Sequence, residues 1–190
     1  MKRSLVILAT LVMFGMETFA QTNLLTNGSF ELPSLPSNYE AVPGDSTAIT
    51  GWKTILNGVE RGNLKVNGAP GTTGTPQDGK LAVDLCPLTF TGGGIQQNFP
   101  TTPGAMYHVS FYGSTLEGAG RDGTGQIDVS IDSIHQLFNV VNHTLNLTWM
   151  QFCFDFKATQ TKSTLRFENN QDANLHFAFI DNVQVVRRSK

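Results

Sequence analysis

Met150-Gln151-Phe152-Cys153-Phe154-Asp155-Phe156 places an apolar residue at every second position, the period of a β-strand with one buried face. The same alternation runs through Leu81, Val83 and Leu85; Tyr107, Val109 and Phe111; Ile127, Val129 and Ile131; Leu165 and Phe167; and Phe177, Phe179, Val183 and Val185. Turn formers separate these runs: Pro43-Gly44-Asp45, Gly68-Ala69-Pro70-Gly71, Asp78-Gly79, Pro103-Gly104 and the glycine-rich stretch from Glu117 to Gly125. Helical periodicity is nearly absent. Short strands punctuated in this way predict an all-β fold, a jelly-roll-like antiparallel β-sandwich. No internal repeat or interdomain linker interrupts the pattern, and residues 67–79, polar and rich in breakers, read as a long surface loop.

The first twenty residues carry Lys2 and Arg3, an apolar run from Leu5 to Met16, and small residues at Thr18 and Ala20. That order predicts a secretory signal peptide over 1–20, cleaved after Ala20, because the apolar run is shorter than the roughly 20 residues that span a bilayer. The remaining 21–190 is expected to form one domain, large enough to bury its own core. No later stretch has spanning length, so the expectation is a secreted protein, extracellular or in the cell envelope, with no membrane insertion once the leader is removed. Formal net charge is −2, and losing Lys2, Arg3 and Glu17 with the leader takes it to −3. A chain of that charge excludes nucleic acid as a partner.

Motifs that would carry catalysis fail on context. Gly118-Ala119-Gly120-Arg121-Asp122-Gly123 matches a dinucleotide-binding spacing, but a strand follows where a helix must begin. Gly74 to Lys80 nearly matches a phosphate loop, yet Leu81 stands where a magnesium-holding hydroxyl is needed. His108, His135, His143 and His176 have no metal-ligand spacing, no serine sits in a nucleophile elbow, and the acidic residues are scattered. The expectation is a protein that is not an enzyme. A hydrolase would need two carboxylates about 5 to 10 Å apart in a concave pocket. Sequons for N-glycosylation begin at Asn27, Asn142 and Asn146; they matter only where the host glycosylates secreted proteins, and chance explains three of them in a threonine-rich chain.

Ordered segments along the chain resemble the choice-of-anchor C family, also called domain of unknown function 642. They are Asn27-Gly28-Ser29-Phe30-Glu31, Ile49-Thr50-Gly51-Trp52, Val59-Glu60, Leu81-Ala82-Val83-Asp84-Leu85 and Gly94-Ile95-Gln96-Gln97-Asn98-Phe99. After these come Thr102 to Tyr107 with Val109-Ser110-Phe111, Trp149 with Phe152-Cys153-Phe154, and Ile180-Asp181-Asn182-Val183. The resemblance implies a galactose-binding-domain-like sandwich akin to carbohydrate-binding modules, with a polysaccharide or glycan as partner. It also implies a structural calcium ion (Ca2+) near the N-terminal turn, with Glu31 and Asp181 as its carboxylate ligands and backbone carbonyls of 28–30 completing the shell. The alternative is that both carboxylates cap backbone amides.

Sugar recognition needs an apolar platform and planar polar groups placed to exchange hydrogen bonds with hydroxyls. Opposite the core-facing positions, alternation places His108, Ser110 and Tyr112 on one strand, Gln126, Asp128, Ser130 and Asp132 on another, and Arg166 and Glu168 on a third. If those strands are neighbours, Tyr112, His108, Gln126, Asp128, Arg166 and Glu168 form the carbohydrate-binding face; the alternative is a solvated outer face. Tyr39, in a proline-rich segment, is a second platform candidate, whereas Trp52 and Trp149 suit core or edge positions better. Cys86 and Cys153 lie out of phase with the core residues of their strands, and in an exported chain a disulfide between them is expected, two free thiols being the alternative. The leading function is secreted, non-catalytic carbohydrate binding. The other reading is a structural or adhesion protein of the envelope or matrix with protein partners.

Overall fold

The computed structural model describes residues 21–37, 39–63, 74–87, 91–118 and 120–188; the expected signal peptide lies outside them. Among the described residues the regular elements are all strands: β1 (Tyr39–Val42), β2 (Lys53–Leu56), β3 (Val59–Gly62), β4 (Ala82–Asp84), β5 (Gly93–Pro100), β6 (Met106–Ser114), β7 (Glu117–Gly118), β8 (Arg121–Asp122), β9 (Thr124–Ile131), β10 (Ile134–Val141), β11 (Met150–Lys157), β12 (Lys162–Glu168) and β13 (Phe179–Arg187). A six-stranded sheet has the order β1-β3-β4-β13-β6-β11, a five-stranded sheet the order β10-β9-β12-β5-β2, and β7 and β8 form a small ribbon. The pairings within both large sheets are antiparallel.

Alternation decides which residues meet between the sheets. Tyr107, Val109 and Phe111 of the six-stranded sheet share one buried cluster with Ile95, Ile127, Val129, Ile131, Leu165 and Phe167 of the other. Phe111 spans the interface, edge-on to Phe167 with ring centroids 5.0 Å apart and edge-on to Phe138 at 5.2 Å. Trp52, 2 % exposed, plugs the N-terminal end against Phe30 and Phe167 and donates its indole N–H to Asn27 O at 2.9 Å, as a core tryptophan must.

One phase change departs from simple alternation. β13 bulges between Asp181 and Gln184. An inserted residue flips the faces of everything beyond it, so Ile180, Val183 and Val185 point inward while Phe179 points outward. Phe177 and Phe179 therefore leave the main core. They build a second buried cluster with Cys86, Leu116 and Ala173, against which Leu147 and Trp149 pack, on the outer side of the six-stranded sheet. The stretch expected to be a surface loop divides: 67–73 lies outside the described residues, whereas 74–79 folds onto that same outer side, with Thr75 O accepting the Trp149 indole N–H and Gln77 and Asp78 N–H bonded to Asp181.

Candidate functional site

β9 and β12 are neighbours, and their register sets Asp128 opposite Glu168 and Ser130 opposite Arg166. Directly opposed residues share a face, so Gln126, Asp128, Arg166 and Glu168 come together on the outer face of the five-stranded sheet. Asp128 accepts from His135 Nε2 at 2.6 Å and from Asn170 Nδ2 at 2.7 Å. Asn170 reaches Glu168 as well, Arg166 pairs with Glu168, and Gln126 donates to Asn139 Oδ1 at 3.0 Å. The result is a row of planar groups held in place by one another. Beside it, on β10, Leu137 and Val141 stand 52 % and 53 % exposed, Leu137 directly opposite Asp128. Apolar and planar polar groups adjoin, as contact with the C–H faces and hydroxyls of a sugar requires.

His108 and Tyr112 are not part of this face. Both lie on β6 in the other sheet, Tyr112 opposite Gln151 and Asp181, and His108 opposite Asp155. The strands expected to be neighbours are separated by the full thickness of the sandwich, because parity identifies which residues share a strand face but not which sheet the strand joins. His108 Nδ1 lies 2.6 Å from Asp155 Oδ1, and the contact holds that carboxyl below the usual range, helped by Arg188. Tyr39 is likewise on the six-stranded sheet and half-buried, facing Glu60 rather than standing in an open segment. The residues missing from the sequence expectation are His135, Leu137, Asn139 and Asn170. The first three lie on β10, whose own alternation of Ile134, Gln136, Phe138 and Val140 was masked by a polar residue in the inward row.

The other outer face carries the most perturbed acids. Glu60 on β3 pairs in register with Asp84 on β4. Burial lifts the Asp84 carboxyl well above the usual range, the facing Glu60 adds to this, and the Cys86 N–H and Arg121 oppose it. Glu60 is raised too, by burial, against the pull of Tyr39 and Arg121. Arg121 sits 3.4 Å above the Phe177 ring centre. Asp84 is 5 % exposed, and its Oδ1 accepts the Cys86 N–H at 2.8 Å, so this pair is built into the second cluster's floor.

At the N-terminal turn Glu31 Oε1 accepts the N–H groups of Lys80 and Leu81, both at 2.8 Å. Asp181 Oδ2 accepts Gln77 and Asp78, and its Oδ1 accepts Asn182. Burial pushes Asp181 up to about 7 in spite of those bonds. The carbonyls that would complete a calcium shell have partners as well: Gly28 O accepts Val183 N–H, and Phe30 O accepts Arg61 Nη1 at 2.9 Å. Arg61, fully buried, also donates to Leu32 O and pairs with Glu40. The cation at this turn is a guanidinium, and these oxygens fit backbone capping better than a calcium shell. Among the described residues no group of three or more His, Cys, Asp or Glu side chains could hold a metal ion.

The expected disulfide is not formed. Cys86 is buried in the second cluster beyond β4, and Cys153 is exposed on β11. Three strand spacings of about 4.8 Å separate β4 from β11, whereas a disulfide needs Cα atoms within roughly 7 Å. Burial pushes the Cys86 thiol up, so it stays protonated. Native protein is expected to yield one rapidly labelled thiol, Cys153, and a second only on unfolding; intact mass after alkylation in buffer and in denaturant checks this.

Residues 23–186 match the family described as "Protein of unknown function (DUF642)". The chain belongs to that family, and its fold is the β-sandwich of carbohydrate-binding modules. Among curated proteins it is 28 % identical over 197 residues to halomucin of Haloquadratum walsbyi, covering 97 % of this chain and 2 % of that protein; the chain thus spans a small fraction of that relative. Among solved structures it resembles the CBM22-1 xylan-binding domain of Paenibacillus barcinonensis Xyn10C, with a TM-score of 0.50 at 14 % identity, covering 80 % of this chain and 94 % of that one. The enzymatically active domain of bacteriophage CBA120 tailspike protein 4 aligns with a TM-score of 0.53 at 13 % identity, over 87 % of this chain and 21 % of that one.

Proposed function

We propose that this protein is exported and binds a polysaccharide or glycan outside the cell, without making or breaking bonds, on the outer face of its five-stranded sheet. The observation that carries the reading is the Asp128–Glu168 register, with Asn170 bridging the two carboxylates and Leu137 beside them. A sandwich shared with a xylan-binding domain and a relative named halomucin agree with it. Xylan and a panel of plant, bacterial and animal glycans are the probes. Hydrogen bonds to a charged group contribute about 1.5–3 kcal/mol, so Asp128→Ala and Glu168→Ala should each weaken binding about 10- to 100-fold, while Tyr112→Ala leaves it unchanged. Binding lost in Tyr112→Ala and kept in the other two would move the ligand to the opposite sheet. No binding to any glycan by folded protein would favour protein partners, and release of reducing ends would make the chain a hydrolase.

A further inference from the structure

The chain carries three sequons, and the fold treats them unequally. The Asn27 side chain lies within the N-terminal turn: Nδ2 donates to Leu32 O at 2.8 Å and Thr50 O at 3.0 Å, while Oδ1 accepts Leu32 N–H at 2.9 Å. An amide nitrogen has two hydrogens, and both are used here. Asn142, 8 % exposed, is in the same position. Its Nδ2 donates to Thr115 O at 2.9 Å and Asn146 O at 2.6 Å, and its Oδ1 accepts the hydroxyl of Thr144, the third residue of its own sequon. A sugar on either nitrogen removes one donor from a closed turn, and at Asn142 it would also have to displace buried surroundings. Asn146 differs in its exposure: it and Thr148, the third residue of its sequon, both stand exposed in the loop between β10 and β11.

We propose that Asn146 is a site of N-glycosylation, and that in the folded protein Asn27 and Asn142 are not. The donor is a lipid-pyrophosphate-linked oligosaccharide: the Asn146 amide nitrogen forms the bond to the sugar's anomeric carbon, the anomeric carbon–pyrophosphate bond breaks, lipid pyrophosphate leaves, and one amide proton is lost. Molecules modified at Asn27 or Asn142 before folding lose the turns those amides close and do not reach the native state. The glycan would lie on the side of the second cluster, since Leu147 and Trp149 pack there. The face carrying Asp128 and Glu168 would be left open.

The inference depends on the export reading, so the experiment separates the two. The full chain is expressed in a eukaryotic secretory host, alongside a variant whose residues 1–20 are replaced by that host's own leader. Secretion of the first tests export; glycan occupancy of the second tests the site even if the first stays inside the cell. Expected is one oligosaccharide per secreted molecule, removed by peptide N-glycosidase with conversion of position 146 to aspartate. Asn146→Gln should abolish it, and Asn27→Gln and Asn142→Gln should leave occupancy of any secreted protein unchanged. Secreted, folded protein without a glycan, or with one at position 27 or 142, overturns the proposal.

Discussion

Arg61→Met is expected to destabilise the fold by roughly 3–5 kcal/mol, the usual cost of removing one partner from a buried charge pair. The side chain is wholly buried, and its guanidinium holds three groups together: Phe30 O, Leu32 O and, through two nitrogens, the Glu40 carboxylate. Methionine fills most of the volume but leaves two carbonyls without donors and a half-buried carboxylate without its counter-charge. For a domain of this size about 1 kcal/mol moves the melting temperature by roughly 2–4 °C, so a fall on the order of 10 °C is expected by calorimetry. Arg61→Lys keeps the charge but cannot reach both carbonyls and the carboxylate together, and should fall between. Because this internal cation serves the N-terminal turn, adding calcium or a chelator to wild-type protein should leave the melting temperature where it is. A large calcium-dependent rise would restore Glu31 and Asp181 as metal ligands.

Stability should also depend on pH in a direction opposite to that of a protein whose carboxylates are salt-bridged. Asp84 and Glu60 both have folded pKa values raised above their ordinary ones, mainly by burial. Between the ordinary and the raised values the folded state binds more protons than the unfolded state, so stability is fully present below the ordinary carboxylate range and is lost as pH rises through the folded values. Asp181, at about 7, acts in the same sense. Each unit by which a folded value exceeds the unfolded one corresponds to about 1.4 kcal/mol. Denaturant midpoints should therefore decline from pH 4 toward pH 8, and Asp84→Asn, which keeps the oxygen that accepts the Cys86 N–H, should flatten the slope and raise stability at pH 8. A midpoint rising over that interval would show that the pair is charged and compensated in the native state.

Most of the strand positions were legible because each buried row is apolar at every second residue; β6, β9, β11 and β12 fall where Tyr107–Phe111, Ile127–Ile131, Met150–Phe156 and Leu165–Phe167 put them. β10 was not, because Gln136 interrupts its inward row. Phe179 was assigned to the wrong side because the bulge between Asp181 and Gln184 shifts the phase, and nothing in local composition marks it. The same limit explains the site. Asp128, Glu168, Arg166 and Gln126 were each placed on a polar strand face correctly, and two of those strands do adjoin. His108 and Tyr112 satisfied the same parity rule on the opposite sheet, since sheet membership depends on connections of long range. The cysteines show this too: their outward phase was legible, but not the four-strand breadth between them or the cluster that covers Cys86.

The N-terminal segment joins the C-terminal strand: Leu24 N–H bonds to Val185 O, Val183 N–H to Gly28 O, and Asn23 to both Val183 and Val185. Gly28 sits so close that a Cβ there would lie 2.0 Å from Val183 O. These contacts span some 160 residues, and β13 lies in the middle of its sheet between β4 and β6. During synthesis, then, the first residues of the domain must wait for the last strand to emerge, and β6 stays unpaired on one side until it does. Closure is a late event of high contact order, and a domain not yet complete exposes a long central strand edge rather than a short peripheral one.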